Sequence, residues 1–275
     1  MPSLIDIRRR IRSVKSTQQI TRAMKLVSAA KLRRAQDRVL AARPYAGVLA
    51  GLLADVAQSA KTDERLVHPL LAARPEERIQ LILITADRGL AGAFNSNLIK
   101  AAQRFLEECQ GTSVEMKTIG RKGRDFFRKR AAKISDEHVG MTEKVTYAYS
   151  AEVAAKVIER FAAGEIDSVY LLYNEFKSVM TQRLVVNRIL PVELPSGAGS
   201  IEYTWEQPPA QMLGKLLPRY VEITIHQALL ESGAAQQAAR MTAMDAATSN
   251  AAEMIDSLTL YMNRVRQASI TREII

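Results

Sequence analysis

The spacing of apolar side chains gives the two ends of this chain one pattern and its middle another. From Leu213, steps of three and four residues pass through Leu216, Tyr220, Ile223, Gln227, Leu230, Ala234, Gln237, Met241, Met244, Thr248, Ala251, Ile255, Leu258, Met262 and Val265. Only Gln227, Gln237 and Thr248 interrupt the run, and a seven-residue repeat held that long predicts a coiled-coil seam. The same steps from Leu4 reach Ile7, Ile11, Val14, Gln18, Thr21, Lys25, Ser28, Leu32, Ala35, Val39 and eventually Val56. Four of these, Gln18 to Ser28, are polar, while Ile20, Met24 and Val27 form an apolar stripe beside them. That displacement predicts a local change of supercoil phase. Pro44 marks either a kink or a joint.

Each seam corresponds to a helix about 80 Å long at about 1.5 Å per residue. Neither could bury so much apolar surface alone in water, but each could bury the other. Small side chains dominate the stretch "ARMTAMDAATSNA", residues 239–251, and let two backbones approach closely, so the pair would make a slender rod.

Between the ends the pattern changes. "RIQLILITA", "SVEMKTIG", "SVYLLYNEF" and "QRLVVNRILPV" read as strands. Helices are expected over 95–109, over "RKGRDFFRKR" and over roughly 150–163. Alternating strands and helices predict a small α/β domain with a mainly parallel sheet. "KTDERLVHPLLAARPEER" and "LPSGAGSIEYTWEQPP" have the composition of linkers.

Charge sharpens this picture. Residues 1–43 hold twelve Lys and Arg against Asp6 and Asp37, so they carry the whole net charge of +10. A helix this basic calls for an acidic partner, whether nucleic acid, an anionic membrane or an acidic protein surface. No unbroken run of about 18 apolar residues is present, and "MPSLIDIRRRIRSVKS" reads as the start of a helix rather than a signal peptide. The single cysteine, Cys109, excludes an internal disulfide and fits a reducing compartment.

Candidate chemistry is sparse. "ITADRGLAGAFN" follows the first strand, where a dinucleotide fold carries its phosphate loop, but Phe94 stands where the glycine fingerprint needs a glycine. No acidic residue ends the second strand, and no G-x-x-x-x-G-K-[ST] segment occurs. His68, His138 and His226 lie in three segments without metal-ligand spacing, and Cys109 has no His or Asp near it in sequence. Met241, Met244, Met254 and Met262 fit packing in the seam. Arg264, Arg266 and Gln267 cluster in "NRVRQASITRE", as a solvated helix end or as a hydrogen-bonding contact to a partner.

Four stretches, "IRRRIRSVKSTQQITRAMKLVSAAKLRRAQ", "TADRGLAGAFN", "ESGAAQQAARMTAMDAATSNAAEMI" and "LTLYMNRVRQASITREI", closely resemble the gamma subunit of F-type ATP synthases. The resemblance implies a long antiparallel coiled coil of the terminal helices plus a Rossmann-like α/β central domain. The expected division is 1–60 helix, 61–76 linker, 77–195 α/β domain, 196–208 linker and 209–275 helix. It implies a rotor that transmits torque between the proton-driven c-ring and the alpha/beta hexamer, with epsilon beside its foot. Such a subunit would be non-catalytic, without cofactor or metal, and present once per complex. Its place would be the cytoplasmic face of a bacterial inner membrane, or the matrix side in a mitochondrial form; the direct N-terminal start favours the first.

By position, Met24 and Lys25 match a segment facing beta, and Asp87 and Arg88 fall in a loop lying against beta's acidic lever. Arg266 and Gln267 match positions that hydrogen-bond a beta loop. Two departures stand out: Ala91 replaces the family's usual Cys, and the chain stops at "ITREII" where relatives often continue. The alternative is a basic coiled-coil protein that binds nucleic acid. Its binding would weaken steeply with salt, although few aromatics accompany the basic helix and no nucleic-acid module is recognisable.

Overall fold

The computed structural model describes residues 3–60, 68–130, 132–143, 145–193 and 207–274. Of the two expected linkers, 61–67 and 196–206 lie outside these residues. Two helices dominate: α1, Leu4–Ala60, and, last among the described residues, the helix Pro209–Ile274. Between them come β1 (Arg78–Ile84), α2 (Phe94–Glu108), β2 (Ser113–Ile119), α3 (Arg121–Arg128), β3 (Ile134–His138), α4 (Tyr147–Ala162), β4 (Ser168–Phe176) and β5 (Gln182–Leu190). A 3₁₀ turn at Pro69–Leu71 precedes β1 and is not counted among the α-helices; the C-terminal helix is therefore α5.

Helix α1 begins with reciprocal bonds that satisfy otherwise orphaned donors. The Asp6 N–H donates to Ser3 Oγ at 3.2 Å, and the Ser3 N–H donates to Asp6 Oδ2 at 3.3 Å. It continues through Pro44, as α5 does through Pro218. Next to Pro44, the Arg43 guanidinium donates to the Phe176 carbonyl at 3.1 Å and approaches the buried Glu231 at 3.5 Å. One window within Leu4–Ala57 has a mean hydropathy of 1.4 and is long and apolar enough to cross a membrane, although the helix contains no unbroken run of about 18 apolar residues. In the fold, Leu49, Leu53, Val56 and Ala57 of that helix are buried.

The two long helices pair along the expected seam, but without the expected change of phase. Thr21 and Ser28 stay buried at their three-four positions, while Ile20 and Val27 are each 57% exposed. The polar positions suit one another, which keeps the register: Thr21 faces Thr248 with Oγ1 atoms 2.8 Å apart, and Lys25 Nζ meets Asp245 Oδ1 at 2.5 Å. The displaced apolar stripe is therefore left on the outside.

The sheet has the order β3-β2-β1-β4-β5, parallel except for β5. Strand β3, "ISDEH", has no counterpart in the sequence reading. Its charged residues suit an edge strand, and its Asp136 pairs with the buried Lys117 of β2 at 3.3 Å. Two apolar cores flank the sheet. One contains Ile82, Ile84 and Val169 with α4; the other contains Leu81, Leu83 and Leu172 with α2 and Phe127 of α3.

Helix α5 enters both cores, through Leu213 to Leu229 in the first and Leu230 to Ala238 in the second. It thus passes the carboxyl ends of β1 and β4, where strand order reverses and α/β folds ordinarily bind ligands. Between 228 and 240 it is buried almost all round, which small side chains permit. Ala234, Ala235 and Ala238 are each 0% exposed, and a Cβ on Gly92 would lie only 3.7 Å from that of Ala243. The alanines of this segment serve close packing of the domain on the helix as well as a slender rod.

A candidate partner interface on the shaft

The carboxyl ends of three strands carry loops that meet one another, and those after β1 and β3 reach α1. After β1, the Ala86 N–H donates to Asn95 Oδ1 at 3.0 Å, which fixes the loop to the start of α2. Thr85 Oγ1 accepts from the Gly123 N–H at 2.9 Å. Gly120, at φ 105, lies so close that a Cβ there would stand 2.1 Å from the Thr85 carbonyl oxygen. Only glycine combines that backbone conformation with that approach.

Asp87 was expected, with Arg88, to meet a partner; the fold turns its carboxylate inward. Oδ1 accepts from the N–H groups of Arg121 and Gly140, both at 3.0 Å, and Oδ2 accepts from Thr142 Oγ1 at 2.6 Å. Burial pushes this carboxyl upward, but those hydrogen bonds outweigh it and hold Asp87 below its usual range. Arg88, next in the chain, is exposed. Leu90 is 62% exposed at φ 63, a conformation that strains a bulky residue.

Arg88 and Leu90 line a cleft of about 330 Å³ together with Met24, Val27 and Arg240. The fold therefore brings Met24 and Arg88 into one place. Lys25, next to Met24, is engaged with Asp245 across the seam. Arg240, only 6% exposed, was not singled out from the sequence. Its Nη1 donates to Gln237 Oε1 at 3.2 Å, while Nη2 has no partner among the described residues. Burial lowers its pKa, opposed by Glu143 and reinforced by Arg88. Glu143 in turn pairs with Lys31 of α1 at 3.0 Å. A lone arginine in an alanine-rich run was the only sequence signal for this group.

Arg266 and Gln267 lie elsewhere, exposed near the far end of α5. At about 1.5 Å per residue they are about 30 Å along the shaft from Asp245. The expected residues thus form two places, a collar beside the loops and a tip.

The other reactive side chains have structural partners. His68 Nδ1 accepts from the Leu70 N–H at 3.2 Å, His138 Nε2 lies 3.1 Å from Asp136, and His226 Nδ1 lies 2.9 Å from Ser150 Oγ. Burial, then Glu76 and Glu108, push the Cys109 thiol up, away from a reactive thiolate. Among the described residues no group of three His, Cys, Asp or Glu is placed to hold a metal ion.

Fold and site together define a shaft-and-foot protein, in which an α/β domain grips a coiled coil that leaves Ile20, Leu26 and Val27 exposed on its outer face. The chain belongs to the ATP synthase gamma chain family. A family model described as ATP synthase matches residues 3–275. The ATP synthase gamma chain of Solibacter usitatus is 62% identical over 276 residues, covering 100% of this chain and 96% of that one. That of Pelotomaculum thermopropionicum is 51% identical over 277 residues, with the same coverage, 100% and 96%. Among solved structures, the central stalk and c-ring assembly of Tetrahymena thermophila mitochondrial ATP synthase contains a similar chain. It has a TM-score of 0.66 and 22% identity, covering 83% of this chain and 99% of that one. A chain of the Euglena gracilis mitochondrial ATP synthase rotor has a TM-score of 0.64 and 18% identity, covering 97% and 98%. At these identities the structural likeness is one of fold.

Proposed function

We propose that this chain is the central-stalk rotor of an F-type ATP synthase, carrying torque between a proton-driven c-ring at its foot and a catalytic alpha/beta hexamer around its shaft. As a gamma-family member it is a non-catalytic subunit of the synthase. The observation that carries the mechanical reading is the inverted polarity of the coiled coil between residues 20 and 28. Thr21 and Ser28 are buried there, whereas Ile20, Leu26 and Val27 are 57%, 64% and 57% exposed. Apolar side chains displayed outside a polar seam imply a surrounding surface that covers them. The flanking cations, such as Arg22, Arg33 and Arg34, call for acid in that surface.

On this reading Met24, Lys25 and Arg88 form a collar facing beta's acidic lever, and Arg266 and Gln267 hydrogen-bond a beta loop at the tip. Rotation requires that the collar contacts be smooth rather than locked at one angle. Epsilon and the c-ring would hold the foot, placing the chain at the cytoplasmic face of a bacterial inner membrane. The nucleic-acid reading receives no support from the relatives.

The test is the native mass and activity of whatever co-purifies with this chain from gently solubilised membranes. A complex holding several alpha- and beta-like chains per copy, with Mg-ATP hydrolysis, is expected. A free chain that DNA retains and salt releases would overturn the proposal.

A further inference from the structure

We propose that Asp87 is a positioning residue, whose carboxylate ties together the loops that follow β1, β2 and β3 and so sets where Arg88, Leu90 and Glu143 stand against the shaft. The inference rests on the rotor reading above. It gives Asp87 a different task from the one its neighbour Arg88 has on that reading, because Asp87 would act without meeting beta.

The three donors come from three places. Asp87 itself follows β1; Arg121 opens α3 directly after β2; Gly140 and Thr142 lie between β3 and α4. Of the roughly four lone-pair directions of a carboxylate, three are taken by these donors, and the Thr142 N–H also favours the charged form. Gly140 at φ 83 supports the turn that presents its N–H. One residue beyond Thr142, Glu143 reaches the α1 side chain of Lys31 at 3.0 Å. One residue beyond Asp87, Arg88 lines the same cleft as Met24 and Glu143. Two segments of the domain that touch α1 at this height are therefore anchored on one side chain. The exposed, strained Leu90 needs such an anchor, since a left-handed backbone at a bulky residue persists only where its surroundings hold it.

All three donors are neutral N–H or O–H groups, so an uncharged acceptor keeps part of the tie, although these hydrogen bonds favour the charged carboxylate. An amide at this position can still accept from Arg121 and Gly140, and its NH₂ can donate to the Thr142 hydroxyl. A methyl group can do none of this. The two possible tasks of Asp87 thus separate by substitution. A positioning residue tolerates Asn and fails as Ala, whereas a charge facing a partner cation fails as either.

The experiment uses the assembled synthase in sealed vesicles, measuring ATP hydrolysis, ATP-driven proton uptake and the amount of this chain in the complex. Asp87→Ala is expected to lower proton uptake per ATP hydrolysed by about fivefold or more, since fivefold is the change in population that losing even one net hydrogen bond produces, with hydrolysis maintained. Asp87→Asn is expected to restore most, though not all, of the wild-type ratio. Equal uncoupling by Asn and Ala, or full coupling in Asp87→Ala, would overturn the proposal. If the alanine variant does not assemble, Thr142→Val removes one anchor and keeps the charge; wild-type coupling in that variant would also overturn it. Failure of the rotor reading has a separate signature, a wild-type complex that hydrolyses ATP without taking up protons.

Discussion

Thr21 and Thr248 meet across the coiled coil with their Oγ1 atoms 2.8 Å apart, at a level where such seams ordinarily bury Leu or Ile. Each hydroxyl also has a carbonyl of its own helix in reach, Gln18 at 3.0 Å and Met244 at 2.7 Å. Removing one hydroxyl leaves the other partly orphaned, whereas removing both leaves nothing to satisfy. Thr21→Val alone should therefore cost about 1 kcal/mol, and the Thr21→Val/Thr248→Val pair should be neutral or stabilising. Thermal unfolding of the four chains forms a double-mutant cycle. Losses that simply add would mean the two hydroxyls do not compensate each other.

One step along the seam, Lys25 and Asp245 form an ion pair whose side chains are 38% and 59% exposed. Pairs this accessible contribute roughly 0–1 kcal/mol. Lys25→Ala should thus leave the unfolding temperature of the isolated chain nearly unchanged. A drop in coupled ATP synthesis in the same variant would then report on a partner facing Lys25 rather than on the fold. A large drop in stability would show the pair to be structural.

Where sequence reading succeeded and where it misled follow from one assumption, that apolar positions mark the inside. Over most of both seams this holds, and residues such as Leu32, Val39 and Leu53 are indeed buried. Between 18 and 28 it fails, because polar residues pair across the seam while Ile20 and Val27 stay exposed. Strand β3 was illegible for a related reason: at the sheet edge "ISDEH" buries little, and its strand state depends on pairing with β2. The burial of Arg240 depends on the domain covering a second side of α5, which no local pattern records. The task of Asp87 depends on donors 34, 53 and 55 residues away.

Gly120 is the tightest point in that loop cluster, its φ of 105 combined with the contact to Thr85. Gly120→Ala should destabilise the chain by roughly 2 kcal/mol or more, because strained backbone costs about 1–3 kcal/mol and the clash is with main chain. Gly47 has open space around its missing Cβ and lies within α1, so Gly47→Ala should stabilise by about 0.5–1 kcal/mol. Denaturant midpoints of the two variants should move in opposite directions; a shift of the same sign in both would contradict this account.

Acid should weaken the fold in two stages. Burial lowers the pKa values of His68, His138 and His226 from 6.5, partly offset at His138 by Asp136. Below about pH 6.5 the unfolded chain binds protons that the folded chain refuses, so stability falls with pH. The Asp167 carboxyl is depressed by its hydrogen bond from Arg78, despite opposing burial, and Asp87 is depressed by its three donors. Their contribution is fully present above the ordinary carboxylate range and is lost as pH falls through their lowered values. Unfolding free energy measured from pH 8 to pH 3 should decline through both windows. Ser150→Ala removes the 2.9 Å partner of His226 but not the burial that lowers its pKa, so both declines should remain.

Arg266 offers the clearest separation of folding from function. It is exposed near the far end of α5, and no ion pair holds it among the described residues. Truncating an exposed side chain without such ties usually changes stability by no more than about 0.5 kcal/mol. If the tip hydrogen-bonds a beta loop, the planar guanidinium supplies a fork that neither Ala nor Lys reproduces. Arg266→Ala should therefore lower ATP synthesis by membranes while the isolated chain unfolds at the wild-type temperature. Arg266→Lys should recover only part of the loss, since it restores the charge without the fork. Equal synthesis in wild-type and Ala membranes would remove Arg266 from the interface; complete rescue by Lys would keep it there as a point charge.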